Sequence, residues 1–190
     1  MPNTSGFLDF HKQRKKIGEF SKEDSIIINK NLPKEFKEFL LQEQKTVFGD
    51  CFFWTVSPLE YHDILCNWGL DGKKCFAFLR SSFGCIAYYY KENCYRLNVQ
   101  NGTHSIIGDA DFDFILNSAL AYFRNLRVGF CYDLHLKYRD SLPELKEDEM
   151  YTLVPALPLG GDMETSKVQV VKMKEQLDIL AQLYNHKTTD

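Results

Sequence analysis

Two acidic runs hold the densest candidate chemistry: "DADFD", with Asp109, Asp111 and Asp113, and "ELKEDE", with Glu144, Glu147, Asp148 and Glu149. Carboxylates at alternate positions invite comparison with a calcium loop, which needs glycine at its sixth position and glutamate at its twelfth. Counted from Asp109 those positions are Phe114 and Leu120, so no metal site is expected. The carboxylates read instead as helix caps, favoured by the positive end of a helix, or as an acidic face that steers a basic partner. The glycine pair in "YTLVPALPLGGD" fails as a phosphate loop. Starting from Gly161, the second required glycine is Ser166, and Val168 replaces the magnesium-binding hydroxyl. The five histidines (His11, His62, His104, His135, His186) are scattered without an H-E-x-x-H pair, and no serine lies in G-x-S-x-G. No catalytic residue and no cofactor is expected.

Composition narrows the function classes further. A chain of 190 residues with 44% hydrophobic and 26% charged residues is that of an ordinary globular protein, and 14% aromatic content supplies a sizeable core. A net charge of -3 argues against duplex binding, where neutralising phosphates supplies most of the affinity. "HKQRKK" (His11 to Lys16) is the strongest local basic patch; it reads as a solvated helix face, with DNA binding through that helix as a remote alternative. Six cysteines at wide spacings contain no C-x-x-C pair, so reduced, buried thiols are expected and not a zinc or redox motif. "MPNTSGFLDF" lacks the apolar core of a signal peptide. No run approaches the roughly 20 apolar residues of a membrane span. A cytoplasmic location without membrane contact is the expectation.

The elements that must position these residues follow from periodicity. A short helix is expected around Phe7 to Ile17. A second starts at Pro33 and carries Phe36, Phe39, Leu40 and Val47 at helical spacing. "VFGDCFFWTV" reads as a strand entered through a Gly-Asp turn. Ser57-Pro58-Leu59-Glu60 has the form of a capping box, with Val56 and Tyr61 as the flanking apolar pair. "CFAFL", "GCIAYYY", "CYRLNV" and "HSIIG" read as strands of an antiparallel meander, with Asn101-Gly102 closing the last hairpin. Helices are expected over "DADFDFILNSALAYFRNL", capped by Asp109 or Asp111, over Phe130 to Arg139, and over "VVKMKEQLDILAQLY". The fold class is therefore α+β, a central antiparallel sheet flanked by helices. "YTLVPALPLGGD" fits as a strand and turn, with Leu153, Val154, Leu157 and Leu159 available to the core.

Two segments resemble known families. "FGDCFFWTVSPLEYHDILCNWG" is similar to the GAD-like domain of bacterial immunity proteins: a Gly-Asp turn, an aromatic strand, a proline-started helix and a tryptophan near its end. "LKEDEMYTLVPALPLGGD…VVKMKEQLDILAQL" resembles the C-terminal domain family of type VI secretion DNase-immunity proteins. Its markers stand here as Asp148-Glu149-Met150-Tyr151, Val154 to Gly161, and Lys174 to Leu183. Pro158 departs from the small residue usual in that family and suggests an edge strand. These resemblances imply three parts: a polar N-terminal segment (1–30), a GAD-like α+β domain (31–125) and an immunity C-terminal domain (126–187) packed on it. They imply a non-catalytic immunity protein that binds a cognate effector toxin, a nuclease of the DNase type, by direct contact. The acidic residues Asp109, Asp111, Asp113, Glu144, Glu147, Asp148 and Glu149 are the candidate contacts. A SUKH-like immunity or adaptor module for another toxin class is the alternative, and a small-molecule enzyme a more distant one.

Overall fold

The computed structural model describes residues 2–186; residue 187, where the C-terminal domain is expected to end, lies outside them. Among the described residues the strands form one seven-stranded sheet and one two-stranded sheet. In the large sheet β1 (Arg14–Gly18), β2 (Lys45–Phe48), β3 (Phe53–Thr55), β4 (Phe76–Ser81), β5 (Ile86–Tyr90), β6 (Asn93–Asn98) and β7 (Thr103–Asp109) lie in sequence order. Every neighbouring pair is antiparallel. The expected meander is present, and it reaches further towards the N-terminus than the sequence suggested.

That extension corrects the reading of the basic run. The N-terminal helix α1 (Ser5–Phe10) ends before it, and Arg14 to Gly18 pair with β2 as an edge strand. The free edge of β2 gives these residues a ladder partner that an isolated helix could not match. The exposed basic side chains of β1 then discourage pairing with another chain. His11 is not on a solvated face. It is buried against Phe7 and Phe53, with its Nε2 2.9 Å from the Leu120 carbonyl.

A helix that the hydrophobic pattern does not announce, α2 (Lys22–Asn31), starts at a capping box formed by Ser21 and Asp24. Asp24 is buried and serves two elements. Its carboxylate accepts from the backbone N–H and hydroxyl of Ser21, from the Ser57 hydroxyl and from Leu59 N–H. Half of the expected box at Ser57 forms. Ser57 Oγ accepts from Glu60 N–H at 3.0 Å, but the Glu60 carboxylate turns to Lys45 at 2.9 Å, and the helix α4 (His62–Asn67) begins later. Asp24→Ala orphans these donors and is expected to lower the unfolding free energy by about 2 to 3 kcal/mol, measured by urea denaturation. An unchanged urea midpoint would remove Asp24 from the account.

α3 (Lys34–Glu43) buries Phe36, Phe39 and Leu40 as expected but stops short of Val47, which belongs to β2. The long helix expected after "DADFD" is broken into α5 (Phe112–Phe114), a π-helical turn over Ile115–Ala119, and α6 (Phe123–Phe130). Asn117 lies in the π turn and holds the N-terminus. Its Oδ1 accepts from Phe7 N–H at 3.0 Å and its amide donates to the Asn3 carbonyl at 2.8 Å. A single left-handed residue, Cys131, separates α6 from α7 (Tyr132–Tyr138).

The small sheet pairs β8 (Glu149–Val154) with β9 (Lys167–Lys172), and α8 (Met173–His186) follows. "VVK" is therefore strand and not the start of the last helix. Pro158 sits in a single 3₁₀ turn, Leu157–Leu159, and not on an edge strand. Leu153 is buried, whereas Val154 and Leu159 are exposed, which corrects the expectation that all four apolar residues reach the core. Gly161 is obligatory, since a Cβ there would lie 2.0 Å from the Pro155 carbonyl oxygen.

Sheet register explains how these parts join. Lys15, Val47, Trp54, Arg80, Ile86, Leu97 and His104 are successive cross-strand partners and so share one face. On that face the C-terminal elements dock. Tyr151 N–H donates to the Ser82 carbonyl at 2.8 Å, and the Arg80 guanidinium donates to the Glu147 carbonyl at 2.9 Å. Arg80 is fully buried and lies 4.3 Å from the centre of the Trp54 ring. The opposite face holds Phe48 and Phe53, clustered with Phe7, Phe39 and Phe130 under α1, α3 and α6. N-terminal and C-terminal parts thus share one continuous core.

Candidate functional site

The two acidic runs have different electrostatic fates. In the second run most carboxylates are met by lysines. Glu147 pairs with Lys45 at 2.8 Å, Asp148 with Lys172 at 2.5 Å, and Glu149 with Lys146 and Lys172 at 3.8 and 3.7 Å. Glu144 lies 3.7 Å from Lys15 and equally far from the Cys51 thiol. Burial works to lower the Lys45 ammonium, but its hydrogen bonds to Glu147 and Glu60 outweigh burial and hold it above its ordinary value. The hydrogen bond from Lys172 holds Asp148 below the usual carboxylate range. Glu144 and Glu147 line a groove of about 300 Å³ whose floor is Val47 and Trp54. Lys15 and Lys146 share that groove, so it is mixed in charge.

The first run behaves otherwise. The β5–β6 turn is made by Lys91 and Glu92, both at positive φ (44° and 62°), and register sets Asn93 opposite Asp109. Ala110 N–H donates to the Glu92 carbonyl at 2.9 Å, which locks the end of β7 to that turn. Asp111 caps α5 by accepting from Phe114 N–H at 3.1 Å. Glu92, Asp109 and Asp111 therefore border one open cleft of about 500 Å³, which Tyr89, Pro33 and Lys30 also line. Among the described residues none of these three carboxylates has a lysine, arginine or histidine within ion-pairing distance. Asp113 has a structural duty, accepting from the amides of Asn3 and Asn117 at 2.8 Å each.

Glu92, Tyr89 and the Lys30–Pro33 segment were missed from sequence. The signal was present in part: a meander with a tight turn in "YYYKENC" must bring Glu92 beside the far end of the next hairpin. The packing of the α2–α3 corner against it is long-range and has no local signature.

A hydroxyl and an imidazole meet where Ser82 Oγ lies 3.1 Å from His135 Nδ1. Both residues are buried, and the imidazole is packed against Phe52 and Tyr132. Burial, with the nearby Arg139 charge, lowers His135 to about 4, so it is neutral at pH 7. His62 lies beside Asp63, its Nδ1 2.8 Å from that carboxylate. All six cysteines are unpaired; Cys75, Cys85, Cys94 and Cys131 are buried, Cys51 is half-buried, and Cys66 is exposed, against the expectation of a uniformly buried set. Among the described residues no group of three or more His, Cys, Asp or Glu is arranged to hold a metal ion. Among them no helix is long and apolar enough to cross a membrane.

Residues 122–184 match the family described as "T6SS immunity protein Tdi1, C-terminal". The fold as a whole is similar to that in the "Crystal structure of Atu4351 from Agrobacterium tumefaciens". The TM-score is 0.76 at 16% identity, covering 95% of this chain and 89% of that one. No curated protein is matched by sequence.

Proposed function

We propose that this protein is a cytoplasmic immunity protein that neutralises a cognate type VI secretion effector by direct contact, without catalysis, and that the Glu92–Asp109–Asp111 cleft receives basic side chains of that effector. One observation carries the choice of surface: three carboxylates without an ion-pair partner among the described residues, around an open cleft of about 500 Å³, in a chain whose residues 122–184 match an immunity family. The similarity of "FGDCFFWTVSPLEYHDILCNWG" to the GAD-like domain supports the same role for residues 31–125. A DNase is the effector that fits best, because a nuclease must present cations to bind phosphate and those cations suit this cleft. Tyr89 supplies an aromatic wall, the residue type that anchors interfaces. Asp113 and the lysine-paired residues Glu144, Glu147, Asp148 and Glu149 contribute long-range steering and less affinity, since each paired charge is already largely satisfied.

The direct test is co-expression and co-purification with the effector encoded beside the gene, followed by DNA cleavage assays with the purified partners. The expected result is a stable complex in which cleavage falls towards zero at equimolar protein. A complex that cleaves DNA at the full rate would contradict neutralisation by binding, and failure to co-purify would contradict the partner.

A further inference from the structure

Cys85 and Cys131 lie 46 positions apart in sequence, yet their sulfurs are 4.0 Å apart in the core. Cys85 opens the turn into β5 and Cys131 forms the corner between α6 and α7. The corner is unusual, because Cys131 adopts the left-handed conformation at φ 59° and ψ 38°, where glycine or asparagine is the common choice. That backbone costs about 1 kcal/mol or more for a residue with a Cβ. The side chain it carries is aimed at Cys85. Neither sulfur serves the cleft described above.

We propose that Cys85 and Cys131 are a latent dithiol that closes to a disulfide under peroxide, stapling the α6–α7 corner to the large sheet. The chemistry balances with hydrogen peroxide as oxidant. The Cys85 thiolate attacks one peroxide oxygen; the O–O bond breaks, an S–O bond forms, and hydroxide leaves. The Cys131 sulfur then attacks Cys85, forming S–S and expelling the second oxygen as water, for a net change of two thiols and one peroxide into a disulfide and two waters. The two sulfurs must approach from 4.0 Å to about 2.05 Å. The division of labour follows from hydrogen bonding. Burial works against the Cys85 thiolate, but hydrogen bonds from the Cys131 thiol, the Ser81 hydroxyl and nearby backbone outweigh it and hold that thiol low. Cys131 is pushed well up by its hydrogen bond to Cys85 and by burial. Both sulfurs are buried, so peroxide reaches them when the corner opens. Cys94 is also buried but has no thiol partner, and serves as an internal control.

The folded protein would be treated with hydrogen peroxide, quenched, denatured and alkylated, then mapped by peptide mass spectrometry. The expected result is a Cys85–Cys131 crosslink, two fewer free thiols, and Cys94 still reduced. The unfolding midpoint should rise, and dithiothreitol should return it to the starting value. Cys131→Gly, which suits the left-handed backbone and should fold, is expected to lose both the crosslink and the shift. Persistence of all six thiols, or a crosslink joining other cysteines in the folded protein, would overturn the proposal.

Discussion

The combined substitution Glu92→Gln, Asp109→Asn and Asp111→Asn is expected to weaken effector binding about a hundredfold while leaving the protein folded. Among the described residues none of the three carboxylates has an ion-pair partner, so no lysine there loses one on neutralisation. In a complex, a charge pair at the edge of the interface contributes about 1 kcal/mol, and more where water is excluded. Three such pairs give about 3 kcal/mol, which is about a hundredfold in Kd. Stability is protected by the choice of residues: Asn at 111 keeps a side-chain oxygen able to cap α5. Fluorescence titration of the effector with wild-type and variant protein measures the change. The comparison substitution, Asp148→Asn, removes a carboxylate paired with Lys172 and should shift Kd less than about threefold. Raising ionic strength to 1 M shortens the screening length to about 3 Å, so wild type and triple variant should converge there. Equal affinities at low salt would remove the cleft from the interface.

The second large effect is acid destabilisation through two buried imidazoles. Burial, partly offset by the hydrogen bond to the Leu120 carbonyl, lowers His11 to about 4. Burial and the Arg139 charge lower His135 to about 4. The ordinary value is 6.5, so the unfolded chain takes up these protons first as pH falls. For groups depressed in the folded state, the stability they confer is fully present above pH 6.5 and is lost as pH falls towards 4. At 1.36 kcal/mol per pH unit for each group, the loss is about 3 kcal/mol per histidine and some 6 kcal/mol in total. That is comparable to the whole stability of many domains. Glu43, raised by burial against the opposing charge of Arg14, works in the opposite sense and trims the slope. Urea denaturation at pH 7.0, 5.5 and 4.5 should show a falling midpoint, and His11→Gln should remove about half of the slope. A midpoint independent of pH across that range would show that neither imidazole is held neutral by the fold.

Local patterns in the sequence were good guides where local chemistry decides. The strands "CFAFL", "GCIAYYY", "CYRLNV" and "HSIIG" appear as β4 to β7, and Gly102 takes its positive φ of 69° in the hairpin. The helix cap at Asp111 was legible for the same reason, since a short acid before an apolar run satisfies an orphan N–H. What failed depended on partners distant in sequence. The basic run became β1 because β2 offered a free edge, and "DADFDFILNSALAYFRNL" broke because Asn117 was recruited to hold Asn3 and Phe7. Charge alone could not distinguish the two acidic runs. Lys45 and Lys172 reach the second from other strands, while among the described residues no cation comes within ion-pairing distance of Glu92, Asp109 or Asp111. The cleft itself is a product of the α2–α3 corner meeting the β5–β6 turn, and that meeting is written only in the tertiary packing.

Amide hydrogen exchange of the protein alone and saturated with its purified effector tests the central claim most directly. The account predicts slowed exchange in the segment from Tyr89 to Asn93, and from Asp109 to Phe114, when the effector is bound. Protection confined to other surfaces, with both segments exchanging as in the free protein, would contradict it.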